Sequence, residues 1–415
     1  MITLLIHHGA NVLHQSNHGL TSLMMATDED NVEVASLLLS AGADVHAEDQ
    51  HGRTALLYAA QNNSPKCARQ LLKYGASLDD IDTMGQNALI VAAKANAVNV
   101  IDVLIEGKID LEQTDHKGNT ALSWAIFNGH VSVVNKLLQC GADVNQENMA
   151  HMHPLMLSVL GDADSAVTMV KHLLSAGASV DATNELGNTA LIMATYENNI
   201  DMVQLLIEEG TNILHQNIYG RNALMAATES NNVDVIDMLV KAGAHLDVFD
   251  NAHHTALMRA SWKNHADSMK ILLEAGAKVH YSDKYGNNAL NYSVVNGNPK
   301  AVKLLLDHNA DIHHRNHNGS TALMLAASTD ATDVIELLLT AGANIEDANH
   351  FGNTALIYSA FHNRDKTVRY LLAKGATIQH RNNNGNDAIA VAKANHCAEA
   401  ANALIVFFRL GVDRF

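Results

Sequence analysis

The chain has 415 residues, 47% of them hydrophobic, with three Pro and a formal net charge of −17. That apolar share excludes an intrinsically disordered chain, and the scarcity of Pro with no Gly/Ser-rich run leaves no linker. The acidic balance disfavours nucleic acid and anionic membranes, and favours a basic protein partner, although solubility alone also accounts for it.

Cys67, Cys140 and Cys397 are odd in number and widely spaced, so they define neither a disulfide framework nor a metal site. They suit a reducing, cytoplasmic compartment. The opening "MITLLIHHGANV" lacks a basic flank and is too short for a secretory signal. No apolar stretch reaches the ~18–20 residues that span a bilayer, so no membrane insertion is expected.

In chain order, the first element is half a module: "ITLLIHHGANV" reads as a second helix and its Gly-Ala tail with no first helix before it. A regular series follows. Turn positions fall at Gly19, Gly52, Gly85, Gly118, His151, Gly187, Gly220, His253, Gly286, Gly319, Gly352 and Gly385. Every interval is 33 residues except the one from 151 to 187, which is 36. Glycine suits a turn with positive φ, and His is among the few residues that tolerate one.

Two residues after each turn position stands a helix N-cap, Thr, Asn or Asp in eleven units and His153 in the other. A short helix follows, then a second helix ending in leucines, as in Leu304-Leu305-Leu306. Gly42, Gly75, Gly141, Gly177, Gly210, Gly243, Gly276, Gly342 and Gly375 take the left-handed position beyond it, with Asn309 there once. Lys108 stands there in the third unit, so a less regular helix end is expected. The three extra residues of the fifth unit fall near "LGDADS" at 160–165, which predicts a longer acidic loop.

One unit cannot bury the apolar faces of both its helices, whereas stacked neighbours can. The expected fold is an all-α repeat solenoid of helix-turn-helix units with β-hairpin or turn fingers. Residues 1–415 would form one solenoid: a partial repeat at 1–16, eleven repeats over 17–382 and a C-terminal capping repeat at 383–415. There Phe407 and Phe408 seal the last layer or dock on a further domain.

The phrases "GNTAL" at 118 and "LLQCGADV" at 137 are close to the pattern of the ankyrin repeat family, and the chain resembles that family over essentially its whole length. One position departs. The family's usual His after Thr-Pro-Leu is replaced by Met24, Leu57, Ile90, Ser123, Met156, Ile192, Met225, Met258, Asn291, Met324, Ile357 and Ala390. The resemblance implies that this His ties turns together. Apolar packing must replace that link here, and Met suits irregular gaps.

No nucleophile–base pairing, phosphate-cradling loop or carboxylate pair rises above the repeat background, so no enzyme and no cofactor are expected. Twenty-five His are present, but equivalent positions of stacked repeats stand about 10 Å apart, too far to share an ion. Solvated or hydrogen-bonded finger His is the reading, with no metal site.

Two columns point to a partner. The resemblance places the residue after the first helix's Ala-Ala on the concave face, and it is aromatic at Phe127, Tyr196, Trp262 and Phe361. The residue before the turn position, at the finger tip, is aromatic at Tyr219, Tyr285 and Phe351. Either these rings grip a partner, or they lean on the neighbouring finger and pack internally. Tyr58, Trp124, Tyr292 and Tyr358 belong to a different column, expected in the core.

Two functions stay open. One is a non-catalytic protein-binding scaffold, expected as a monomer. The other is the recognition portion of a larger protein, such as a microbial effector delivered into a host cytosol, a reading that the start within a repeat favours.

Overall fold

The computed structural model describes residues 2–161 and 163–409. Twenty-five helices lie among them, and no strand. Within each unit the short helices of successive repeats form one layer and the longer helices the other. The chain divides into two compact units, Met1–Asn212 and Ile213–Phe415.

In the first unit, Ala55–Gln61 packs on Ala88–Lys94, which packs on Ala121–Phe127 and so on to Ala190–Tyr196. In the second, the same row runs from Ala223–Glu229 to Ala388–Ala394. A leucine at the second position of the first helix is the recurring core residue, with Ile389 in its place in the last repeat. Leu56, Leu89, Leu122, Leu224, Leu257 and Leu290 are buried to within 1%, each worth about 1.5–3 kcal/mol of burial.

The column that departs from the family's His is also core. Met24, Met156, Met225, Met258 and Met324 are each 1% exposed. Ser123 and Asn291 are buried there too, and Ala390 is half-buried.

Eight of the twelve N-cap side chains accept a backbone N–H of the first turn. Thr54, His153, Thr321 and Thr354 do not. Lys108 adopts φ 65° and its N–H reaches the Ile105 carbonyl. Gly75 makes the equivalent bond to Leu72, so the third unit's helix end is as regular as its neighbours.

The fifth unit corrects an expectation. Its extra residues lengthen the second helix to Ala163–Ser175, 13 residues against the usual nine. Asp162, in the expected loop, lies outside the described residues.

Between the two helices of most repeats stands a left-handed residue, usually Asn: Asn63, Asn96, Asn198, Asn231, Asn264 and Asn363 all have positive φ. Its side chain reaches the next repeat. Asn63 Oδ1 accepts from the N–H groups of Asn99 and Val100, and Asn363 Oδ1 from that of Ala400. In these repeats the left-handed residue thus caps the second helix of the next, whereas Asn231 and Asn264 bond the side chains of Ser268 and Asn298.

At the ends, Leu4 and Leu5 are 61% and 54% exposed. Phe407 is half-buried and Phe408 exposed, so Phe408 does not seal the last layer.

Candidate partner-binding face

Each finger is a tight turn rather than a hairpin of paired strands. Only isolated bridges, Gln15–Thr21 and Ser282–Asn288, join finger backbones in strand fashion among the described residues. An Asp or Asn three residues before the turn position shapes the finger instead. Asp283 Oδ1 accepts the N–H groups of Tyr285 and Asn287, both at 2.8 Å. Asn349 does the same for Phe351 and Asn353, and Asp49 for His51 and Arg53. This column, Asp or Asn in every finger except the first, where Ser16 takes the place, is visible in the sequence as a regular spacing before the turns.

Successive fingers are laced by one backbone bond. The carbonyl of the tip residue accepts the N–H of the next finger: Tyr219 from Asn251, Tyr285 from His317, Phe351 from Asn383, each 3.0 Å. The turn glycine makes this approach possible. A Cβ on Gly286 would stand 2.8 Å from the His317 nitrogen, and one on Gly352 2.7 Å from that of Asn383. The two His replacements keep positive φ, 53° at His151 and 66° at His253. Neither of their tip carbonyls, at Ala150 and Ala252, accepts such a bond among the described residues. The added Cβ stands against this approach, although the Leu186 carbonyl, before Gly187, accepts no such bond either among the described residues.

Lacing holds the tip backbone but leaves the tip ring outside. Tyr219, Tyr285 and Phe351 are 51%, 64% and 59% exposed, and the first-helix residues Phe127, Tyr196, Trp262 and Phe361 are 46%, 37%, 53% and 52% exposed. Phe127 and Tyr196 lie in the first unit and the other five in the second. Phe127 meets Trp124 edge-on, and Phe361 meets His362 likewise, with ring centroids 6.2 and 5.1 Å apart. Beside Phe361 a cleft of about 460 Å³ is lined by Tyr358, His362, Asn382, Asn386 and Asn395.

The column expected in the core sits at its edge. Tyr58, Trp124, Tyr292 and Tyr358 are half-buried, and each turns a polar atom to the Asx residue nine positions earlier. Tyr58 Oη donates to Asp49 Oδ2 at 2.8 Å, and Trp124 Nε1 to Asp115 Oδ2 at 2.8 Å. Tyr292 Oη donates to Asp283 Oδ2, and the Tyr358 hydroxyl accepts from Asn349 Nδ2. Arg259 holds the place once, bridging buried Asp250 to Glu229.

The electrostatics follow. Burial raises the Asp49 carboxyl, but hydrogen bonds from the Arg53 backbone and guanidinium, and from Tyr58, outweigh it and bring it to about 2. Burial and the Asp49 bond push the Tyr58 hydroxyl up to about 12. His254 stands between Asp250 and Asp283, yet burial holds its pKa below the ordinary value.

Cys67 is buried, with its thiol pushed up to about 12 by that burial, and Cys140 is exposed. Among the described residues no three His, Cys, Asp or Glu are placed to hold a metal ion. No helix among them is long and apolar enough to cross a membrane.

Fingers and paired helices, repeated within each unit, define a helical repeat protein whose exposed rings recur at two positions of the repeat. The family model described as ankyrin repeats (3 copies) matches residues 1–82, 76–148, 155–250, 214–283, 247–316 and 290–382. The chain therefore belongs to the ankyrin repeat family, whose members are generally protein–protein interaction modules. No curated protein matches it.

Proposed function

We propose that the chain is a non-catalytic scaffold that binds a protein partner through the face formed by finger tips and first-helix ends. The supporting observation is exposure. Seven aromatic side chains at two equivalent repeat positions stay open to solvent, and Met84, Leu160, Leu186 and Val295 at the same two positions are exposed as well. Aromatic anchors with few rotatable bonds, on a backbone already fixed by lacing, lose little entropy on binding. The cysteines, unpaired with one another, suit a reducing compartment.

The test is the double variant Trp262→Ala/Phe361→Ala in the full chain. Both rings are half exposed, so the melting temperature should move by no more than a degree or two. Quantitative affinity capture with mass spectrometry should show partners lost relative to the unchanged chain. Undiminished capture, or a fall of many degrees in melting temperature, removes the proposal.

A further inference from the structure

The net charge of the chain is not shared between its units. Met1–Asn212 holds 25 Asp and Glu against 9 Lys and Arg, a net −16. Ile213–Phe415 holds 19 against 18, a net −1. Five of the seven exposed rings lie on the nearly neutral unit, so the acidity of the whole chain does not describe the surface they stand on.

At the first three repeats of that unit, each exposed ring has a cation beside it. Arg221 lies 5.8 Å from the Tyr219 ring, Lys263 5.6 Å from that of Trp262, and Lys284 5.9 Å from that of Tyr285. The neighbouring carboxylates are already engaged. Asp250 and Glu229 bind Arg259, Glu229 also pairs with Arg221, and Asp283 takes the Tyr292 hydroxyl. Lys263 and Lys284 are exposed and enter no ion pair among the described residues. The His254 ring lies 6.1 Å from Trp262 and feels the charge of Lys284, which makes Trp262, Lys284 and Tyr285 one locality.

The finger lacing is interrupted at the same place. His253 stands where glycine would admit the next finger, and neither the Ala252 carbonyl nor the Lys284 N–H makes a hydrogen bond within the described chain. One backbone acceptor and one backbone donor are thus left open between two rings and two free ammonium groups. An extended polypeptide supplies backbone groups of both kinds, and carboxylates answer the ammonium groups.

We propose that the fingers at 250–254 and 283–287, with Trp262 and Lys263, form a docking site for an extended acidic polypeptide segment in which Asp or Glu flanks an aromatic or aliphatic residue. The apolar residue rests against Trp262 and Tyr285, and the carboxylates pair with Lys263 and Lys284. This rests on the partner-binding reading above and reverses the basic partner that the total charge favours.

The experiment selects a phage-displayed library of random 12-residue peptides on the immobilised full chain, then measures binding of the selected peptides in solution. Selected peptides should be enriched in Asp and Glu next to an apolar residue. Binding should fall about tenfold in Lys263→Glu/Lys284→Glu, less in Lys263→Gln/Lys284→Gln, and these losses should shrink at 500 mM salt. Neutral or basic selected peptides, no selected peptides, or acidic peptides indifferent to both lysine variants overturn the inference. Trp262→Ala separates the two readings. If it weakens basic peptides, the partner-binding face stands and the acidic assignment falls. If it leaves every selected peptide unaffected, the face itself is wrong.

Discussion

Asn63 serves two ends with one side chain. Its backbone occupies the left-handed region at φ 53°, which lets the chain reverse between two helices. Its Oδ1 accepts two amides of the following repeat's second helix, whose own N-cap, Ala97, has no side-chain acceptor. The two roles are separable. Asn63→Gly keeps the conformation and loses the cap, at about 1 kcal/mol. Asn63→Ala loses the cap and also strains the backbone, at about 2–3 kcal/mol in all. Urea unfolding midpoints of the two variants, with hydrogen exchange at Asn99 and Val100, read both effects. Equal losses would show that conformation does not matter there, and unchanged exchange would show that the cap does not.

A finger is held by its own Asx residue and, at most steps, by the finger before it, and at His253 the second tie is missing. Restoring glycine there should let the Lys284 N–H reach the Ala252 carbonyl, as Asn251 reaches Tyr219. It also relieves a non-Gly residue at φ 66°. His253→Gly is expected to stabilise the chain by up to about 1 kcal/mol and to slow exchange of the Lys284 amide. An unchanged Lys284 amide would mean that something other than the Cβ keeps these fingers apart.

Much of this element was legible in the sequence, for a physical reason. Turns with positive φ and helix caps admit few residue types, so Gly220, Gly286 and the Thr or Asn two residues later announce themselves by composition. The resemblance places Trp262 and Phe361 on the concave face but leaves internal packing open, and their exposure is decided by the structure. The lacing was not legible, since it joins backbone atoms, which all residues share. Lys263 and Lys284 also escaped notice. A surface lysine is ordinary in any sequence, and these two acquire meaning only once Asp250, Asp283 and Glu229 are seen to be engaged elsewhere. The acidic loop at 160–165 failed because a helix can absorb three residues as nearly one turn, and nothing in "LGDADS" forbids that.

On the scale of the whole chain, the uneven charge sets a condition on stability as well as on binding. A unit carrying −16 repels itself in the folded state more than one carrying −1, and salt screens that repulsion over about 10 Å at 0.1 M. Some carboxylates of the first unit offset it by pairing, as Asp49 does with Arg53, but 9 basic residues cannot neutralise 25 acidic ones. Raising salt from 50 to 500 mM should therefore protect the amides of residues 1–212 more than those of 213–409. Local opening in a repeat stack reports local stability, so hydrogen exchange on the intact chain resolves the two halves without cutting it. Equal gains would mean that the carboxylates of the first unit are already spaced widely enough for solvent to screen them, and that its acidity is a property of solubility alone. A larger gain in 1–212, with the neutral second unit barely changed, would place the cost of the charge on the unit that holds two of the seven exposed rings and leave the proposed docking site insulated from it.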